Sequence, residues 1–210
     1  DDIAWLLNIR GDDILYNPVV LSYVVLTMDQ LYLFINEDVI DGKAYPYLDN
    51  TDDTTTREYL EGIGVTIRPY DKVYDMVEGL RNEKVLLEKS RVNYAIYRLL
   101  DSSNKIIDKM NPTALMKCVK NDVEIENEKK AHIKDGVAVT KFIYWLKKNI
   151  GKIPMDELSV CEYMENLRKQ QEGCISPSFA TISAYGAHGA MCHYSATEET
   201  NIPLEPRGLY

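Results

Sequence analysis

Three histidines occur in 210 residues, and one of them, His193, has neighbours that suggest chemistry. It is the last residue but one of the stretch Ser176 to Tyr194. Within that stretch Phe179 to Ser183 is rich in β-branched and aromatic residues and reads as a short strand. Gly186-x-x-Gly189 then allows the backbone to turn or to approach another group closely. A strand that enters a glycine turn and returns with a histidine can hold an aromatic ring and an imidazole over one pocket. The competing reading is a packed, hydrogen-bonded core histidine, the commoner fate of a lone His beside apolar residues. His132 reads as a structural histidine, and Tyr185 and Tyr194 as packing residues.

Other chemistries find less support. Cys118, Cys161, Cys174 and Cys192 contain no Cys-x-x-Cys pair and no metal-type spacing, which reads as free, reduced thiols. Cys192 adjoins His193, but neighbours on an extended segment point to opposite faces, which argues against a Cys–His catalytic pair. The acidic loop Asp49 to Asp53 suggests calcium until its spacing is checked. An EF-hand loop starting at Asp49 needs Gly sixth and Glu twelfth, where this chain has Thr54 and Leu60. A net charge of −9 argues against nucleic acid, whose phosphates demand a basic surface. No Gly-x-Gly-x-x-Gly and no Walker sequence is present, so nucleotide binding has no motif. Apolar runs are strand-sized, so no membrane span is expected. The opening Asp1-Asp2 does not resemble a secretion signal, and a cytoplasmic location is expected.

These residues need a scaffold, and its elements are legible as a mixed α/β pattern. Asp1 to Asn8 forms a helical turn with Trp5 and Leu6 inward. Val19 to Thr27 and Gln30 to Ile35 form a β-hairpin. Thr55 and Glu58 match a capping box opening a helix to about Gly62. Strand, helix, strand, helix and strand follow at Val65 to Arg68, Asp71 to Leu80, Lys84 to Leu87, Arg91 to Leu100 and Lys105 to Ile107. Composition shifts near Asn111-Pro112, where a domain boundary is placed: residues 1–112 and 113–210. Beyond it Asn121 with Glu124 caps a long helix, with Ala131, Ala138, Phe142, Trp145 and Leu146 at helical spacing and a solvated lysine face. Asp156 caps another helix running to about Gln171, with Val160, Met164 and Leu167 inward. Gly208 to Tyr210 resembles the start of a strand.

Three segments, in order along the chain, resemble Xaa-Pro aminopeptidase, a family of pita-bread metallopeptidases. They are Asp2-Ile3-Ala4-Trp5-Leu6-Leu7-Asn8-Ile9-Arg10-Gly11 with Asn17-Pro18-Val19, Lys117 to Asp135, and Phe179 to Tyr194. The resemblance implies a partial creatinase-type N-terminal α/β domain, not catalytic, followed by the N-terminal portion of a pita-bread catalytic domain. It implies hydrolysis of the bond before proline in peptides with proline second. Carried over residue by residue, His193 matches the histidine that donates a hydrogen bond to substrate around the scissile carbonyl. Phe179 matches an aromatic residue lining the pocket for the side chain before proline. His188 departs from the family, which usually carries Asn in this turn.

The resemblance further implies two divalent ions, manganese or similar, held by two Asp, two Glu and one His. All five are expected beyond Tyr210, so no metal ligand is assigned here, and the fragment alone is expected to be inactive. A homodimer is implied for the full-length protein. Prolidase and creatinase share the fold, and the Asn8 to Gly11 region favours the aminopeptidase branch. The alternative is a non-catalytic pita-bread module that binds peptides.

Overall fold

The structure, a computed structural model, describes residues 1–40 and 54–210, so the acidic loop Asp49 to Asp53 lies outside the described residues. Two compact units are present, Asp1–Lys120 and Asn121–Tyr210.

The first unit is organised by one strand. Helix α1 (Asp2–Leu7) precedes β1 (Ser22–Leu26) and β2 (Leu31–Ile35), which pair antiparallel from Ser22–Ile35 to Leu26–Leu31. Helix α2 (Thr56–Gly62) leads into β3 (Val65–Pro69), which pairs with β2 in parallel and leaves β2 central. Successive side chains of a strand face opposite ways, and β2 uses both faces. Leu33 and Ile35 enter a core with Leu7 of α1, Leu60 of α2 and Val65. Phe34 enters a second core with Val73 and Val77 of α3 (Lys72–Glu78) and Ile96 of α4 (Tyr94–Leu99). The short strands β4 (Lys84–Leu87) and β5 (Lys105–Asp108), with α4 between them, form a parallel pair. Helix α5 (Pro112–Cys118), with Asn111 as its cap and Pro112 in its first turn, packs against α1.

The capping chemistry expected for α2 is present: the Thr55 hydroxyl accepts from the Glu58 N–H, and the Glu58 carboxylate accepts from the Thr55 N–H. Some inward assignments differ. Leu7, not Leu6, is buried in α1, because the turn ends at Asn8 in a left-handed conformation that aims Leu7 and Ile9 at the sheet. Helix α4 begins at Tyr94 rather than Arg91, since the Asn93 side chain accepts from the Ala95 N–H and sets the start there.

The second unit is a helix pair with an irregular strap. Helix α6 (Asp122–Asn149) opens on the expected Asn121–Glu124 capping box, and α7 (Glu157–Lys169) on Asp156. The two run in opposite senses: Asp135 ion-pairs with Arg168 at 2.7 Å, Ala138 packs with Met164 and Leu167, and Trp145 stacks on Tyr163 at 3.8 Å. Ala138 is buried, whereas Ala131 is exposed, one helical stretch before α7 reaches it. The strap after α7 is tied back by Asp156–Pro203 bridging and by Leu204 N–H donating to Met155 C=O.

Phe179 to Ser183 does not form the expected strand, and neither does Gly208 to Tyr210. The two segments share one side-chain bond, Tyr210 Oη to Ser183 Oγ at 3.1 Å, and just past the first of them Gly186 N–H donates to Leu209 C=O. Strand propensity needs a ladder to become a strand, and two isolated bonds are not a ladder.

Phe34 is 1% exposed at the centre of the second core. Phe34→Ala is therefore expected to destabilise the first unit by about 3–5 kcal/mol, read from urea unfolding. Met28→Ala, at a side chain 97% exposed, is expected to change stability by no more than about 0.5 kcal/mol.

Candidate functional site

The site is built around an acid that does not reach water. Glu157 is the first residue of α7, one place after the cap Asp156, and its side chain is fully buried. Asp156 is held below the usual carboxylate range, first by accepting from the Ser159 N–H. Glu157 sits where the aligned N–H groups of the first turn favour negative charge. The strap supplies its partners. Tyr185 N–H donates to Glu157 Oε1 at 2.6 Å, Tyr194 Oη donates to Oε2 at 2.6 Å, and His188 Nδ1 lies 3.0 Å from both oxygens. Burial pushes the Glu157 carboxyl up, but Tyr194, the Tyr185 N–H and His188 together pull it further down, and the net result lies below its ordinary value. An ionised carboxylate only accepts, so His188 carries its proton on Nδ1. The Tyr194 phenol is pushed up, first by burial and then by this carboxylate.

The local chain is shaped to make these bonds. Gly186, at φ 58, enters the left-handed region that glycine adopts without strain and starts a 3₁₀ turn, Gly186–Ala190. That turn brings the His188 ring against the Tyr194 ring, centroids 4.4 Å apart. The Tyr185 hydroxyl donates to the Arg207 carbonyl, and Gly208 lies under its ring, where a Cβ would meet ring atoms at 2.7 Å.

The two residues expected to carry chemistry lie in different places. His193 is exposed and has φ 54, a left-handed conformation that a non-glycine residue takes only when its surroundings hold it. The kink turns Tyr194 inward, to 7% exposure, and leaves the imidazole facing solvent. A packed core histidine is therefore not what position 193 holds. Phe179 is 62% exposed and lines an open groove of about 690 Å³ whose walls include Phe142, Ile143, Met164, Ile182 and Tyr210. His193 does not line it. Thr181 Oγ1, on the same wall, is buried without a hydrogen-bond partner among the described residues. His132 is exposed on α6 and bonds to the Glu128 carbonyl one turn back, a structural role.

Sequence reasoning missed Glu157. An acid just after a cap reads as an ordinary first-turn residue, and its burial depends on residues 28 to 37 positions later. Its apolar neighbours Met155, Leu158 and Val160 mark a helix face that packs, not an acid that does. Among the described residues no group of three or more His, Cys, Asp or Glu side chains converges to hold a metal ion. Cys161 is a half-buried thiol pushed up by burial and then by Glu165, far from reactive. The four cysteines are free.

A family model described as Creatinase/Prolidase N-terminal domain matches residues 1–124, and one described as Metallopeptidase family M24 matches residues 126–210. Over the whole chain, identity is 36% to Xaa-Pro aminopeptidase 1 of Dictyostelium discoideum and 35% to Xaa-Pro aminopeptidase 2 of Mus musculus. The chain spans 32% and 30% of their lengths, about a third of the curated relatives it matches. Among solved structures, 98% of the chain superposes on the X-prolyl aminopeptidase of Caenorhabditis elegans, described as a cytosolic enzyme with a di-nuclear active site. The TM-score is 0.84 at 29% identity, over 33% of that chain. An Xaa-Pro dipeptidase from Bacillus anthracis shares the fold, with TM-score 0.61 at 18% identity over 97% of this chain and 50% of that one.

Folding lowers the Glu157 pKa, so its stabilising contribution is complete above the ordinary value of 4.5 and is lost as pH falls through the lowered one. Urea midpoints of the second unit, followed by Trp145 fluorescence in a Trp5→Phe background, should fall steadily as pH drops below about 4.5. Glu157→Gln should flatten that acid slope, and an unchanged slope would remove Glu157 from its cause.

Proposed function

This chain belongs to the creatinase/prolidase N-terminal domain family, and we propose that it forms part of an Xaa-Pro aminopeptidase, a peptidase that removes the residue preceding proline from the N-terminus of a peptide. The observation that carries the reading is the exposed His193 imidazole, set outward on a loop whose next residue is anchored inside. In this reading the first unit is not catalytic, and the second contributes one wall of a peptide site.

His193 donates a hydrogen bond to the carbonyl oxygen of the bond to be broken. A donor held in place before reaction stabilises the charge that this oxygen gains as the carbonyl is attacked. Phe179 packs against the side chain that precedes proline, where an aromatic residue 62% exposed and lining the groove loses water contact on binding.

The whole protein would use two divalent ions, manganese in our reading, which supply the attacking oxygen when bound. The family resemblance, not the fold, is what assigns their ligands to the part of the whole protein beyond this chain; among the described residues no group of three or more His, Cys, Asp or Glu side chains converges. The reading extends to a cytoplasmic homodimer acting on peptides with proline second. A second reading, a peptide-binding module without catalysis, draws on the open apolar groove and the charge of −9.

The 210-residue chain alone is expected to show no detectable Xaa-Pro hydrolysis, even with added manganese, while the whole protein cleaves and releases a peptide beginning with proline. Robust turnover by the isolated chain would refute the placement of the ligands. In the whole protein His193→Ala should lower kcat by about 10²–10³. Binding of Xaa-Pro peptides without cleavage would favour the second reading.

A further inference from the structure

We infer that Glu157 is a positioning residue, whose carboxylate fixes the loop from Tyr185 to Tyr194 and thereby presents the His193 imidazole to substrate. The inference rests on the role given to His193 above. Among the described residues the His193 side chain has no hydrogen-bond partner, so nothing on the ring itself sets its direction. Its backbone is in a left-handed conformation that costs a non-glycine residue free energy, and something must hold it there.

Tyr194 does so directly. It is the next residue, 7% exposed, and its hydroxyl donates to Glu157 Oε2 at 2.6 Å. The other end of the loop is held by the same acid through Tyr185 N–H at 2.6 Å, and its middle through His188 Nδ1 at 3.0 Å. One carboxylate thus closes a loop of ten residues at three points. Glu157 is in turn immobile: its N–H donates to the Ile202 carbonyl at 3.2 Å, and α7 is rooted by Val160 at 0% exposure.

Charge matters as well as shape. Three donors converge on two oxygens, which a carboxylate accepts with room to spare. A glutamine in the same place has one oxygen and turns an NH₂ toward a donor, so at least one of the three bonds weakens. A loop loosened by a fraction of an ångström would misplace the imidazole without unfolding the unit.

The test is a double-mutant cycle in the whole protein, with Glu157→Gln, Tyr194→Phe, His193→Ala and the pair E157Q/H193A. Proteins with unchanged circular dichroism are compared for kcat and KM on an Xaa-Pro peptide. Glu157→Gln and Tyr194→Phe are each expected to lower kcat about tenfold to a hundredfold, with KM within about threefold. In the His193→Ala background Glu157→Gln should add less than about twofold, because its route to the reaction is already cut. Equal losses in both backgrounds, or no loss at all, would overturn the inference. Full activity of His193→Ala would instead overturn the role of His193, so the two failures are distinguishable.

A second readout needs no activity. In the 210-residue chain, Glu157→Gln and Tyr194→Phe should shift and broaden the ring resonances of His193 while leaving those of His132 on α6 in place. A His193 spectrum untouched by both substitutions would show that the acid does not position it.

Discussion

An ionised carboxylate taken out of water must find donors equal to those it left, or it will take up a proton or pull the structure open. Glu157 meets that requirement with a backbone N–H, an imidazole and a phenol, at the end of a helix whose dipole already favours its charge. The strap beyond α7 has no sheet and only one short helical turn to fold it. Its path is set by bonds to fixed points instead: Glu157 for residues 185 to 194, Met155 for Leu204, and the Tyr185 ring for Arg207 and Gly208. Without the acid, a segment rich in small and polar residues would have little apolar area with which to offset the entropy of ordering it.

The first unit solves its problem by different means. Its centre is a strand with both faces apolar, Leu33 and Ile35 toward one pair of helices and Phe34 toward another. Burial there is non-directional, and many residues share it. A buried acid is directional, and few residues share it. That contrast separates a region that tolerates substitution of similar volume from one in which a single oxygen atom matters.

Legibility in the sequence follows the same division. Capping boxes at Thr55–Glu58 and Asn121–Glu124 are local, complete within four residues, and both are found where the spacing places them. The hairpin of β1 and β2 and the helical periodicity at Val160, Met164 and Leu167 are equally local. Phe179 to Ser183 misled because β-branched residues announce a preference, while a strand requires a neighbour to hydrogen-bond with. Ala131 sits on the apolar period of α6 yet is exposed, because periodicity identifies a face and not the length of it that a partner covers. Glu157 was illegible for the deepest reason. Its role exists only once a glycine turn some thirty residues on has brought a tyrosine and a histidine back to it.

His188 sharpens the point. The resemblance predicts asparagine in this turn, a shorter side chain that can bond nearby backbone. An imidazole is longer, and here it does two things at once: Nδ1 reaches Glu157 and the ring lies against Tyr194. The turn is thereby fastened to the helix as well as to itself. A substitution that looks like a loss of motif is, in the folded chain, a further donor to the buried acid, and it adds a contact to the residue that follows His193. The same histidine tied to a carboxylate 31 positions away shows why a motif read along the chain undervalues its departures, which can be judged only against the partners that folding brings to them.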